Sequence, residues 1–272
     1  MGVIRSVISP ADKSLFEEQG YLLVPNVVPA SLCEAVVSCV AAWLAIDPID
    51  PSTWPDPEGH GIVPLHHAQA LWQVRQHPQV HEVFATLYAQ QALWVSFDRA
   101  SFKGPGHETN LLAEPIHWDG DPTNLKDDSF QGLVYLRDTG VDQGAFCCVP
   151  GIYRDLSSYA TNHVEAIRTR KPSGISESEI DVVGGNQGSL LIWNRKLPHS
   201  STVNRSGQPR WVQYVAMDLA RSEQARLERI KMFEDRLPPK WAEIQKVPGQ
   251  QIPEPFEPIE LTTLGRKLVG YV

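Results

Sequence analysis

The chain has no apolar run near the ~20 residues that a membrane-spanning helix needs. Its opening, MGVIRSVISPADKSLFEEQG, lacks the sustained apolar stretch of a secretory leader. Positive charge is also short. Lys and Arg total 24 against 32 Asp and Glu, a formal net charge of −8. Nucleic acid and anionic membrane surfaces both need a basic face, so neither is expected as a partner. There are only four cysteines, Cys33, Cys39, Cys147 and Cys148, and their spacing fits neither a zinc site nor a disulfide framework. They read as reduced core thiols, with the adjacent Cys147 and Cys148 pointing to opposite faces of a strand, and a cytoplasmic location is expected. No internal repeat is present. MGVIRS matches the loose myristoylation pattern through Gly2 and Ser6, a six-residue match of little weight.

With 272 residues, 42% of them hydrophobic and 21% charged, the chain can bury a full core, and disorder along its length is excluded. The spacing predicts one domain over 1–272. Residues 1–90 form a helical and strand support, 91–220 a β-core, and 221–272 a C-terminal helix and tail. At the front, Ser14–Gln19 reads as a helix stopped by Gly20, YLLVPNVV as a strand that Pro25 confines to an edge or bend, and the segment from Pro29 as an amphipathic helix. Residues 48–64 form a loop or lid and 67–90 return to helical spacing. ALWVSFDRASFKG, FQGLVYLRDTG, GAFCCVPG, GSLLIWNRKLPHS and RWVQYVAMDLA are short β-branched or aromatic runs between turn residues. That pattern predicts an antiparallel sandwich or jelly roll, interrupted by connections at 103–129 and 152–187.

EPIHWDGDP places His117 and Asp119 two residues apart. In extended backbone, residues i and i+2 face the same way, so both can converge on one point while Trp118 turns to the other side. A metal site open to substrate needs a third ligand. His60, His66, His67, His77 and His81 fall in the loop and following helix, where they are expected to be solvated or hydrogen-bonded locally; His107 and His163 fall in loops. His199 differs, because it follows the apolar run GSLLIWN at a break marked by Pro198. A turn around Asn204–Gly207 then returns the chain to Arg210. Two histidines and a carboxylate make the facial set that leaves positions open on non-heme Fe(II). A dicarboxylate cosubstrate would need a buried cation at its far end, where arginine's planar fork outperforms lysine. Each residue also has a bland reading. His117 and Asp119 can be a hydrogen-bonded loop pair, His199 a satisfied core histidine, and Arg210 a cross-strand ion pair. Ser101 and Lys103 share a strand near this cavity, with their orientation open. Trp118, Tyr135 and Trp193 read as packing first.

EQGYLLVPNVVPASLCEAV, FKGPG…EPIHWD, QGLVYLRDTGVDQGAFCCVPGIYR and GSLLIWNRKLPHSSTVNRSGQPRW, in this order, resemble the phytanoyl-CoA dioxygenase family of Fe(II)/2-oxoglutarate oxygenases. The resemblance implies a double-stranded β-helix with flanking helices. Iron would be held by His117, Asp119 and His199. Arg210 would bind the 2-oxoglutarate C5 carboxylate, helped by Ser201. It further implies O2 as cosubstrate and hydroxylation of an unactivated C–H bond of a small molecule, with release of succinate and CO2. Asp119 points away from halogenation, since halogenating relatives replace that carboxylate with a small residue. The family commonly has Pro-Gly-Ser-His after its central hairpin, whereas this chain has Pro150-Gly151-Ile152-Tyr153, which removes a presumed substrate contact. Two further readings stand: a cupin-like metal enzyme that does not use 2-oxoglutarate, and a non-catalytic member of the fold. The acidic chain suggests a neutral or cationic substrate rather than a CoA thioester, and a homodimer would be unsurprising.

Overall fold

The computed structural model describes residues 7–55, 61–106, 110–124, 129–244 and 258–271. Gly2, Ser6, His60 and His107 lie outside the described residues, as do parts of the loop at 48–64, of the connection at 103–129 and of the C-terminal tail.

Helix α1 (Pro10–Gln19) begins four residues before the expected start, because Ser9 and Asp12 form a capping box there, and Gly20 ends it in a left-handed conformation. Strand β1 (Tyr21–Val24) stops at Pro25. Helix α2 (Ala30–Leu44) buries Cys33, Val36, Val37 and Val40. After β2 (Ile62–Val63), the helical stretch splits at Pro78 into α3 (Gln69–Arg75) and α4 (Pro78–Tyr88). The core strands are β3 (Leu93–Val95), β4 (Ala100–Lys103), β5 (Phe130–Tyr135) and β6 (Phe146–Cys148). Three short helices follow, α5 (Pro150–Arg154), α6 (Leu156–Asn162) and α7 (Val164–Thr169). Then come β7 (Asp181–Val183), β8 (Leu190–Asn194), β9 (His199–Ser201) and β10 (Arg210–Leu219). The C-terminal part holds α8 (Glu223–Glu234), α9 (Lys240–Ile244) and α10 (Thr263–Val269). Sequence patterning read the region of α10 as tail, yet its Leu268 and Val269 are fully buried against the main core.

The strands form two antiparallel sheets. The larger runs β1-β8-β5-β10-β4-β2, with β3 also on β10, and the smaller runs β7-β6-β9. On the larger sheet, Leu133, Tyr135, Leu191, Trp193 and Val212 point inward and meet Phe146, Cys148 and Val183 of the smaller one. The alternate positions Val134, Leu190, Ile192, Trp211, Val215 and Met217 point outward and pack with α2, α3, α4 and α10. Both faces of β8 are therefore covered, which is why LLIWN reads as an unbroken apolar run. This is the jelly roll of the two architectures that the strand pattern allows, and the double-stranded β-helix that the resemblance implies.

Part of the connection at 103–129 is an additional edge of the smaller sheet. Leu112 pairs with Thr202, and His117 with His199. Cys147 and Cys148 do face opposite ways, Cys147 toward Trp118 and Cys148 into the jelly roll, and all four cysteines are free thiols. Among the described residues, no helix is long and apolar enough to cross a membrane. The histidines before the core are less local than expected. His66 bonds the carbonyls of Phe97 and Asp98, and His67 bonds that of Leu237, because α3 is pressed between the sheet and the C-terminal helices.

Candidate active site

Main-chain pairing brings the two histidines together. The His117 amide donates to the His199 carbonyl and the His199 amide to the His117 carbonyl, both at 3.0 Å. Their rings stand 5.2 Å apart. Each ring is then oriented by the carbonyl two residues before it, His117 Nδ1 to Pro115 and His199 Nδ1 to Leu197, both at 3.0 Å. A carbonyl oxygen only accepts, so Nδ1 carries the proton in both rings, and in the neutral imidazole Nε2 is left as a bare lone pair. His199 is buried against Phe146 and Trp193. That burial pulls its pKa below the usual histidine value even though Asp119 acts in the opposite direction.

Asp119 completes the cluster. Its Oδ1 lies 3.7 Å from His117 Nε2 and its Oδ2 lies 3.9 Å from His199 Nε2. One ligand atom from each of the three residues falls within 4.8 Å of the others. Burial alone would raise the Asp119 pKa, but His199, a hydrogen bond from Gln131, His117 and Arg195 outweigh it and hold the carboxyl below its usual range. Trp118 turns away, as the spacing required. Its indole donates to the Lys196 carbonyl at 2.8 Å, and its ring sits in a separate cluster with Ile116, Cys147 and Val149. Arg170 closes the segment from outside, donating through Nη1 to the Asp119 carbonyl and accepting the Trp118 amide on its own.

Arg210 opens β10 opposite Lys103 of β4 and is 2% exposed. Its Nη1 donates to the Gly144 carbonyl at 2.7 Å and its Nη2 to Ser101 Oγ at 3.2 Å. Its Nε is buried without a partner. Lys103 Nζ donates to Ser201 Oγ at 3.2 Å. The strand pattern left the facing of Ser101 and Lys103 open; both turn toward Arg210 and Ser201. The intervening turn is tied by Asn204, whose amide bonds the carbonyls of Lys103 and Gln208 while its Oδ1 accepts from Ser206.

Two arginines lie in the electrostatic surroundings of Asp119. The Arg99 guanidinium is held between the rings of Tyr214 and Trp241, at 4.2 and 4.7 Å, beside Asp98. Arg195 reaches within 3.8 Å of where a side chain on Gly120 would begin. The Ile152-Tyr153 departure is absorbed by packing: Ile152 joins the Trp118 cluster, and the Tyr153 ring lies against Gly20 so closely that a Cβ there would meet it at 2.8 Å.

A "Putative phytanoyl-CoA dioxygenase" of Dictyostelium discoideum is 26% identical over 261 residues, covering 74% of this chain and 72% of that protein. Among solved structures, GlcNAc Inducible Gene 2 of Candida albicans matches with a TM-score of 0.72 at 14% identity, covering 97% of this chain and 77% of that one. The epimerase SnoN, in complex with Fe3+, alpha ketoglutarate and nogalamycin RO, matches with a TM-score of 0.57 at 16% identity, covering 93% and 94%. At such identities the structural matches speak for the fold. The family model described as Phytanoyl-CoA dioxygenase matches residues 16–212, which contain the triad and Arg210. The chain belongs to the phytanoyl-CoA dioxygenase family.

Proposed function

We propose that the protein is an Fe(II)/2-oxoglutarate-dependent oxygenase acting on a small molecule, with His117, Asp119 and His199 as the metal ligands. The observation that carries this reading is the pair of histidines whose Nδ1 protons are both committed to main-chain carbonyls, so that two bare Nε2 atoms and a carboxylate face one point. That donor set suits a ferrous ion, and the fixed tautomers are what metal-ligating histidines need. When bound, the ion and 2-oxoglutarate supply the oxidation: the oxo acid loses CO2 to become succinate, and its two electrons together with two from substrate reduce O2.

The protein's own residues bind, orient and exclude water. Arg210 and Lys103, with Ser101 and Ser201, form a cationic end that receives the far carboxylate of 2-oxoglutarate. Among the described residues Arg210 has no carboxylate partner, so the cosubstrate provides the counter-charge that its burial calls for. Trp193, Phe146 and Val212 line the same interior and keep it apolar around these polar groups. Asp119 keeps hydroxylation as the default outcome. Hydrogen abstraction followed by another step is the alternative outcome within this mechanism, as the relative SnoN is named an epimerase. A cupin-like enzyme without 2-oxoglutarate would have no use for a buried arginine at that distance along the hairpin. Arg195, together with the Asp98-paired Arg99, lies in the electrostatic surroundings of Asp119, which supports a neutral small molecule as substrate. The four free thiols support a reducing compartment.

Anaerobic addition of Fe(II) and 2-oxoglutarate tests the reading. A visible metal-to-ligand charge-transfer band is expected in the parent and is expected to weaken in Arg210→Ala. Fe(II) binding without the band would favour the cupin-like reading, and no binding at all would reduce His117 and Asp119 to a loop pair.

A further inference from the structure

We infer that Gln131 is a positioning residue that decides which oxygen of Asp119 is presented to the metal, and that Trp193 fixes Gln131 in the orientation that makes this work. The inference rests on the metal reading of the triad above.

Gln131 Nε2 donates to Asp119 Oδ2 at 2.8 Å, and Trp193 Nε1 donates to Gln131 Oε1 at 3.1 Å. The direction of this chain is forced by chemistry. An indole N–H can only donate, so it must meet the amide oxygen. The NH2 end of Gln131 is thereby turned to the carboxylate, and a flipped amide would place two donors or two acceptors face to face at both contacts. Backbone pairing builds the arrangement, because Gln131 of β5 lies directly opposite Trp193 of β8 and on its other side opposite Ala216 of β10. All three belong to central strands of the larger sheet, each paired on both sides.

The consequence falls on the two carboxylate oxygens. Oδ2 is occupied by a hydrogen bond, whereas Oδ1 accepts none from any described residue. A carboxylate pinned at one oxygen binds a metal through the other alone. It is also kept from turning to chelate through both, which would consume a position that the cosubstrate or oxygen needs. The same indole lies 5.2 Å from the His199 ring, so one tryptophan supports two members of the triad. On β5 the other inward positions are Leu133 and Tyr135, and this hydrogen-bond chain accounts for a glutamine in line with them.

The test uses the full chain with Gln131→Leu and Trp193→Phe, the second chosen because it keeps a ring against His199 and removes only the indole donor. Mn(II) affinity is measured by calorimetry, and the anaerobic Fe(II)/2-oxoglutarate band is recorded for each. Gln131→Leu is expected to weaken Mn(II) binding about 10- to 100-fold, the usual effect of losing such a supporting contact, and to shift the band. Trp193→Phe is expected to act in the same direction and less strongly, with metal-free circular dichroism unchanged. If the parent binds Mn(II) while both variants bind within twofold of it with the same band, Gln131 is only packing and the inference fails alone. If the parent binds no Mn(II), the metal reading and the inference fail together.

Discussion

The two ends of the cavity ask different things of single residues. Arg210 is a buried guanidinium whose hydrogen bonds go to a carbonyl and a hydroxyl, with no carboxylate beside it among the described residues, and in the proposed function it receives the far carboxylate of 2-oxoglutarate. Arg210→Leu should therefore weaken 2-oxoglutarate binding by about 30-fold or more, following the ~2–5 kcal/mol that truncating a desolvated charge pair costs. Mn(II) affinity should stay near the parent's, and calorimetry with each ligand separately checks the split. Asp119→Ala should abolish Mn(II) binding while the metal-free fold is retained, and should weaken 2-oxoglutarate binding as well, because the cosubstrate also takes a position on the metal. Loss of Mn(II) affinity in Arg210→Leu would show that Arg210 supports the metal ligands rather than the far carboxylate.

At the scale of elements, Gly188 leads into β8 with φ 81°, and its carbonyl accepts the amides of Val27 and Val28. A Cβ there would stand 2.1 Å from the Val28 carbonyl oxygen. Gly188→Ala is expected to cost ~2 kcal/mol or more through backbone strain and displacement, read as a lower melting temperature. The packing of α3 beneath α8 makes a second prediction. Burial holds the His67 pKa at about 3, with Nε2 donating to the Leu237 carbonyl. The unfolded chain, near 6.5, binds that proton first. The stability His67 contributes is thus complete above about 6.5 and is lost as pH falls toward 3. His67→Phe lacks this titration, so the stability of the parent minus that of the variant should shrink between pH 7 and pH 4 in denaturant melts. A constant difference would show that His67 titrates normally.

For the whole molecule, three clusters must hold together: the helix-covered face of the larger sheet, the interior between the sheets, and the packing behind Trp118. The triad is drawn from the rim where these meet, with ligands from segments 80 residues apart in the chain. A ligand that binds only the assembled site stabilises the fold by mass action, ~2.7 kcal/mol at a hundredfold excess over Kd. For a chain of this size that corresponds to a rise in melting temperature of roughly 5–10 °C. Mn(II) with 2-oxoglutarate should produce it in the parent and not in Asp119→Ala, by differential scanning fluorimetry.

What the sequence determined by itself was local and periodic. The apolar runs LLIWN and RWVQYVAMDL, the stop at Gly20, and the two-residue spacing of His117 and Asp119 each follow from backbone geometry that a few neighbouring residues set. His199 and Arg210 were legible as candidates because Pro198 and the Asn204 turn mark a hairpin. Partnership across the chain was decided only by tertiary structure. Nothing near His117 announces that its backbone exchanges hydrogen bonds with His199, because pairing between distant strands depends on register set by the whole sheet. Gln131 carried one signal, a polar residue at an inner position of an apolar alternation, but its donor and acceptor, Trp193 and Asp119, lie 62 and 12 residues away. The helix over Thr263–Val269 was missed for the same reason: seven residues are too few to fold alone, and burial of Leu268 and Val269 under the sheet is what stabilises them.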